Sequence, residues 1–197
     1  MRVLITGFET FGGLKVNPSE QVVRRLEARR DGDLIAKVLP TEFAAATRRI
    51  RRLIQTHRPE AVLCLGVARS RSVISLERFA LNIDDTSEAD NAGRIRIGRP
   101  IAKDGPPAYV STLPLARMLK AVQAAGIPAE ISNHAGTYVC NHVFYAARRI
   151  LELENDTAPC GFIHLPPIRT GKSRGMALDD MMRAVELSLA VIRSGPG

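Results

Sequence analysis

The sequence has no tryptophan, and aromatic residues make up only 5% of its 197 positions. Cysteine is scarce as well. There are three, Cys64, Cys140 and Cys160, and a sparse, odd set excludes a disulfide framework. No apolar run approaches the ~20 residues of a membrane span. No Cys-x-x-Cys or His-Glu-x-x-His pattern occurs, which removes the commonest zinc signatures. There is no linker, internal repeat or low-complexity segment, so residues 1–197 read as one domain. Acidic residues are under-supplied. Twenty Asp and Glu face 28 Lys and Arg, for a net charge of +8.

Such a charge raises nucleic acid as a partner. The arginines argue against it. Arg24-Arg25, Arg29-Arg30, Arg48-Arg49, Arg51-Arg52 and Arg148-Arg149 each interleave with the apolar positions of a different expected helix. That is the pattern of solvated helix faces. With few aromatics and no nucleic-acid motif, nucleic-acid binding is disfavoured.

What is present is an alternation of strand-like and helix-like segments. Val3–Thr6, Leu34–Leu39, Ala61–Leu65, Val73–Ile83, Ala129–Ser132 and Gly161–Leu165 read as strands. Helices are expected from Asn17 onward, over Ala44–His57, from Leu113 or Pro114 to Gly126, over Cys140–Glu154 and over Ala177–Arg193. Asn17-Pro18-Ser19-Glu20 carries a cap, a first-turn proline and a capping box. Asp84–Pro107 reads as loop with a small hairpin around Arg94–Ile97, and Gly195-Pro196-Gly197 as a frayed tail. This order predicts an α/β fold: a three-layer α/β/α sandwich around a mixed, largely parallel sheet. Sites in such folds collect at the carboxyl ends of strands. The Gly7–Gly13 loop, the turn before Cys140, and His164 all fall near such ends.

Cys140 is the strongest candidate for chemistry. It stands where a turn becomes a helix, and a helix start carries about half a positive charge. That field favours thiolate, which predicts a lowered cysteine pKa and a ready nucleophile. Cys64, inside Ala61–Leu65, and Cys160, at a strand edge, read as packing residues. A thiol nucleophile needs a base that later acts as acid, and a group to orient that base. His164, ending an apolar strand, fits the base. For the orienter, Glu77, Asp84, Asp85 and Asp90 compete, and spacing does not choose among them.

A metal is not expected. His134, Cys140 and His142 are close in sequence, but positions two apart do not share a helix face. His142 and His57 read as residues of polar faces. The loop Gly7-Phe8-Glu9-Thr10-Phe11-Gly12-Gly13 lacks the Gly-Lys-Ser/Thr ending of a phosphate loop. Its two phenylalanines suit a clamp on a small flat ring, or an anchor to the core.

Four stretches together resemble the pyroglutamyl peptidase (type I pyrrolidone-carboxylate peptidase) family. They are Leu4–Gly13 with Val16–Ser19, Leu76–Asp85 with Asp90-Asn91, Gly136–Asn141, and Gly161–Pro166, in the family's order across nearly the whole chain. The resemblance implies a cofactor-free cysteine peptidase of the cytoplasm, commonly a homotetramer, that releases N-terminal pyroglutamate from peptides. It implies Cys140 as nucleophile, His164 as base and acid, and Glu77 as orienter. It implies Phe8 and Phe11 as holders of the pyroglutamyl ring, with Asn17, Tyr138 and Val139 near the site. A catalytically weakened binding protein on the same scaffold is the alternative. Three features depart from the family pattern. Thr86-Ser87 stands where many members carry an arginine, which leaves Arg78 or Arg94 to be borrowed. Leu165-Pro166-Pro167-Ile168-Arg169 differs after the histidine, and Tyr138 replaces a more usual phenylalanine.

Overall fold

A computed structural model describes residues 1–171 and 175–195, so Pro196 and Gly197 of the expected tail lie outside the described residues. The first strand, β1 (Val3–Phe8), is buried throughout and is flanked by β2 (Leu34–Leu39) and β3 (Ala61–Val67). Between them run α1 (Pro18–Ala28) and α2 (Phe43–His57). Asn17 caps α1 by accepting from the Ser19 N–H. The expected capping box is only half made, because Glu20 takes its bond from Arg24 instead. The N–H of Phe43, at the start of α2, donates to Asp90 from a distant loop.

The run expected as one strand over 73–83 is divided. β4 (Ile74–Glu77) joins the main sheet, whereas β5 (Phe79–Leu81) leaves it to pair with β8 (Ala108–Val110). β6 (Asp84–Thr86) pairs with β7 (Arg96–Arg99), so a hairpin does form in the loop region. The ladder breaks at Arg78, whose N–H donates to Ser132 while its carbonyl accepts from Ser111. The remaining elements are α3 (Leu115–Ala124), β9 (Ala129–Ser132), α4 (Val139–Leu153), β10 (Cys160–Leu165) and α5 (Leu178–Arg193).

The main sheet has the order β2-β1-β3-β10-β4-β9. All neighbours are parallel except β10 and β4. Residues of α1, α3 and α5 form the core on one face, and residues of α2 and α4 form it on the other. This is the expected α/β/α sandwich. Each large apolar side chain sealed in these layers, such as Ile50, Phe144 or Leu63, contributes about 1.5–3 kcal/mol through burial. No helix among the described residues is long and apolar enough to cross a membrane.

Candidate active site

A cleft of about 350 Å³ opens where the carboxyl ends of β3 and β10 meet the start of α4. Cys140 and His164 both line it. Cys140 is the second residue of α4. The first bond within that helix runs from the His142 N–H to the Tyr138 carbonyl, which leaves the N–H groups of Val139, Cys140 and Asn141 without helical acceptors. They are the donors an anion would meet.

Gly66 explains how the sulfur reaches the sheet. A Cβ built on Gly66 would lie 2.6 Å from Cys140 Sγ and 2.8 Å from the Phe162 ring. Gly66 pairs in register with His164 on the adjacent parallel strand. Parallel strands lie about 4.8 Å apart, so the thiol sits over the strand next to the histidine. No hydrogen bond joins Cys140 to His164 among the described residues. Such contacts commonly tighten only around a substrate.

His164 donates from Nδ1 to Glu77 Oε1 at 2.6 Å. The carboxylate can only accept, which fixes the proton on Nδ1 and leaves Nε2 as the basic nitrogen when the ring is neutral. Phe162, two residues back on the same face, tilts against the imidazole with ring centroids 4.8 Å apart. Glu77 is fully buried in β4, opposite Phe162 in register. Its Oε1 also accepts from Arg71 Nη1 at 2.6 Å, Oε2 meets the hydrogen-bond criteria with none of the described residues, and the nearby Ser132 hydroxyl favours the ionised form. Burial favours the protonated acid here, but the bonds from His164 lead the opposing effects, and the carboxyl is held below its ordinary value.

The lowered thiol pKa expected from the helix start is overturned. Burial pushes the Cys140 thiol well up, and the nearby Glu77 carboxylate pushes in the same direction. Arg71 and the backbone N–H at the helix start oppose them without prevailing. These effects favour the thiol over the thiolate. Burial penalises a net charge left in the site, but passing the thiol proton to His164 leaves the net charge unchanged. The resulting imidazolium would face the Glu77 carboxylate, which stabilises it.

The other expected residues divide. Phe11 lines the cleft, its ring 5.5 Å from that of Tyr138, which also lines it. Phe8 does not: it is 1% exposed and packed in the core beneath α2. Residues 4, 6 and 8 of β1 share one face, so the strand's alternation turns Phe8 inward. Asn17 is buried and is not among the residues lining the cleft; it caps α1 and donates to the Glu9 carbonyl, fixing the loop that carries Phe11. The Val139 side chain is buried in the core, so only its backbone is placed to act on the cleft. The Tyr138 hydroxyl donates to the Ala89 carbonyl at 2.9 Å. Burial, reinforced by Glu88 and Asp90, raises its pKa and keeps it a donor.

The competing aspartates are engaged elsewhere. Asp85 accepts from Gly98, Asp90 supports α2, and Asp84 pairs with Arg96 and His142. His142 is buried between Asp84 and Thr47 and lies on no polar face, and His134 Nδ1 accepts from Gly136. No metal-holding cluster of His, Cys, Asp or Glu forms among the described residues. The arginines at the cleft are Arg69 and Arg71 rather than Arg78, which bonds Asn133, or the exposed Arg94. Arg69 lies over the Phe11 ring at 4.8 Å and pairs with Glu88 at 2.6 Å. Sequence reasoning missed Arg69, Arg71 and Glu88. The available signal was the position of Arg69 and Arg71, just beyond the carboxyl end of a wholly buried strand.

The family model of pyroglutamyl peptidase matches residues 1–194. The chain belongs to the pyroglutamyl peptidase family. A pyrrolidone-carboxylate peptidase of Gloeobacter violaceus is 43% identical over 201 residues, covering 98% of each chain. Another, of Cupriavidus taiwanensis, is 42% identical over 98% of this chain and 93% of its own. Among solved structures, a mutant pyrrolidone carboxyl peptidase of Pyrococcus furiosus superposes with a TM-score of 0.93 at 34% identity, covering 98% and 99% of the two chains. The pyroglutamyl peptidase I of Bacillus amyloliquefaciens gives 0.92 at 34% identity, covering 97% and 94%.

Proposed function

We propose that this chain is a cysteine exopeptidase that hydrolyses the amide bond after an N-terminal pyroglutamyl residue. One observation carries the reading: Cys140 shares a cleft with a histidine whose Nδ1 is held by a buried glutamate. Cys140 Sγ attacks the pyroglutamyl carbonyl as His164 Nε2 takes the thiol proton. The oxyanion meets the N–H groups at the start of α4, a type of donor worth about 10²–10³ in rate. His164 returns the proton to the leaving amine, and a thioester to Cys140 remains. Water then attacks the thioester, giving one proton to His164 and, through it, to sulfur. Free pyroglutamate leaves.

The lactam ring has apolar faces and a polar edge. Phe11 and Tyr138 pack on each other with ring centroids 5.5 Å apart, so together they offer one aromatic wall for an apolar face. Three free thiols suit the reducing cytoplasm. The whole chain acts as one catalytic domain, and the tetramer implied by the family resemblance is the expected assembly. A pyroglutamyl-linked chromogenic amide tests the activity. Wild type should release the chromophore, and Cys140→Ser should lose about 10⁴-fold or more in kcat while its melting curve is retained. Undiminished turnover in that variant would exclude the mechanism. Saturable pyroglutamate binding without turnover in wild type would favour a binding protein instead.

A further inference from the structure

Glu77 faces a difficulty that its pairing with His164 does not solve. The carboxylate is fully buried, and one of its oxygens has no hydrogen-bond partner among the described residues. A carboxylate in such a place tends to take up a proton. An imidazolium opposes that, but His164 must be neutral for half of the proposed cycle, whenever it is ready to act as base. In that half, the buried anion would face an uncharged ring, and the neutral Ser132 hydroxyl on β9 beside it supplies no charge.

Protonation of Glu77 would do more than remove a charge. A carboxylic acid would donate to Nδ1 instead of accepting from it. The imidazole proton would move to Nε2, and the nitrogen facing the thiol would lose its basicity. A second, permanent cation at the carboxylate prevents this. Arg71 Nη1 reaches the same Oε1 that accepts from His164, at the same 2.6 Å. A guanidinium stays charged at any working pH. The Arg71 side chain is only 23% exposed, so solvent screens the pair weakly. It is held in place from both ends. Its backbone N–H donates to the Ala68 carbonyl, and Nη2 to the His134 carbonyl.

We propose that Arg71 is a positioning residue for the reaction, holding Glu77 ionised through both protonation states of His164 and so fixing the tautomer that leaves Nε2 basic. This rests on the peptidase reading for its kinetic consequence, but not for the arrangement itself. The direction of the carboxyl shift agrees: Arg71 helps to lower Glu77, after His164 and the Ser132 hydroxyl, and it opposes the rise at Cys140.

The test compares Arg71→Met, which keeps bulk without charge, with Arg71→Lys, which keeps charge without the fork. Two readouts are taken across pH. One is turnover of the chromogenic amide, and the other is the rate of Cys140 alkylation by iodoacetamide, which needs no substrate. In Arg71→Met, kcat should fall about 10²-fold with little change in KM. The acid limb of both profiles should move up by about one pH unit or more, because the carboxylate now protonates earlier. Arg71→Lys should restore most of the rate and return the limb toward wild type. Unchanged limbs in Arg71→Met would overturn the inference, as would a loss confined to KM, which marks a wall residue. Arg71→Gln replaces Arg71→Met if the latter fails to fold. A wild type that does not cleave the amide, with an alkylation limb that still moves in the variant, would sink the peptidase reading and leave Arg71 standing.

Discussion

His164 and His142 keep nearly identical company. Each donates from Nδ1 to a fully buried carboxylate, Glu77 for one and Asp84 for the other. Each carboxylate also meets an arginine at 2.6 Å, Arg71 or Arg96, and both arginines are 23% exposed. Each imidazole lies against a phenylalanine, His164 on Phe162 and His142 on Phe43. The difference lies at the other nitrogen. His142 Nε2 is 2.7 Å from Thr47 Oγ1, so both its nitrogens are occupied by protein. His164 Nε2 has no partner among the described residues, and its ring lines the cleft beside a thiol. A carboxylate, an imidazole and a guanidinium therefore do not make a catalytic group by themselves. One pair fastens β6 to α4 and α2. The other is placed to serve as a base, because one nitrogen is left facing the cleft beside a thiol.

The sharpest way to break this comparison is to delete each ring. His164→Ala should cost about 10³–10⁴-fold or more in kcat and little in melting temperature. His142→Ala should do the reverse. It strips a buried carboxylate and a hydroxyl of their shared partner, for a loss of about 1–3 kcal/mol in urea unfolding, with turnover per folded molecule nearly intact. Equal losses of activity in both variants would erase the distinction.

A smaller effect is read at Glu77 by changing pH. Glu77 has a depressed folded pKa, so its stabilisation is present above the ordinary glutamate value of 4.5 and disappears as pH falls through the lower folded value. Wild type should accordingly be more stable than Glu77→Gln at neutral pH, and the two unfolding curves should converge in acid below that value. Curves that stay parallel to the lowest pH would show that the charge of Glu77 is not what stabilises. The smallest effect belongs to Thr47→Val, which frees His142 Nε2 without opening a cleft to it. We expect a loss of about 1 kcal/mol and unchanged kcat.

Much of this was legible in the chain. Period-two and buried runs gave the strands of the main sheet, and Asn17-Pro18 marked the start of α1 because capping is a local interaction. Partner choice was not legible. The β-forming run over 73–83 says strand at every position, but nothing local tells Arg78 that the ladder changes sheets there. His142 was misread for a similar reason. Residues 139–147 of α4 are buried on every side, because β5, β6 and β8 cover the face that helical periodicity leaves polar. The thiol was misread because a helix dipole can be seen in sequence and burial cannot. The resemblance singled out Glu77 among four carboxylates, and the fold shows why spacing alone could not: the other three are satisfied by contacts far away in sequence.

The direction of β4 has a last consequence. Had that strand run the same way as β10, its final residue would emerge level with His164, at the rim. Because it descends instead, Glu77 ends up opposite Phe162, one side-chain step below the histidine, and reaches upward to it. The acid is thus installed under the floorboards. Bulk water and an incoming peptide meet the imidazole first, and a peptide's own amines and salts cannot compete for the anion that holds it.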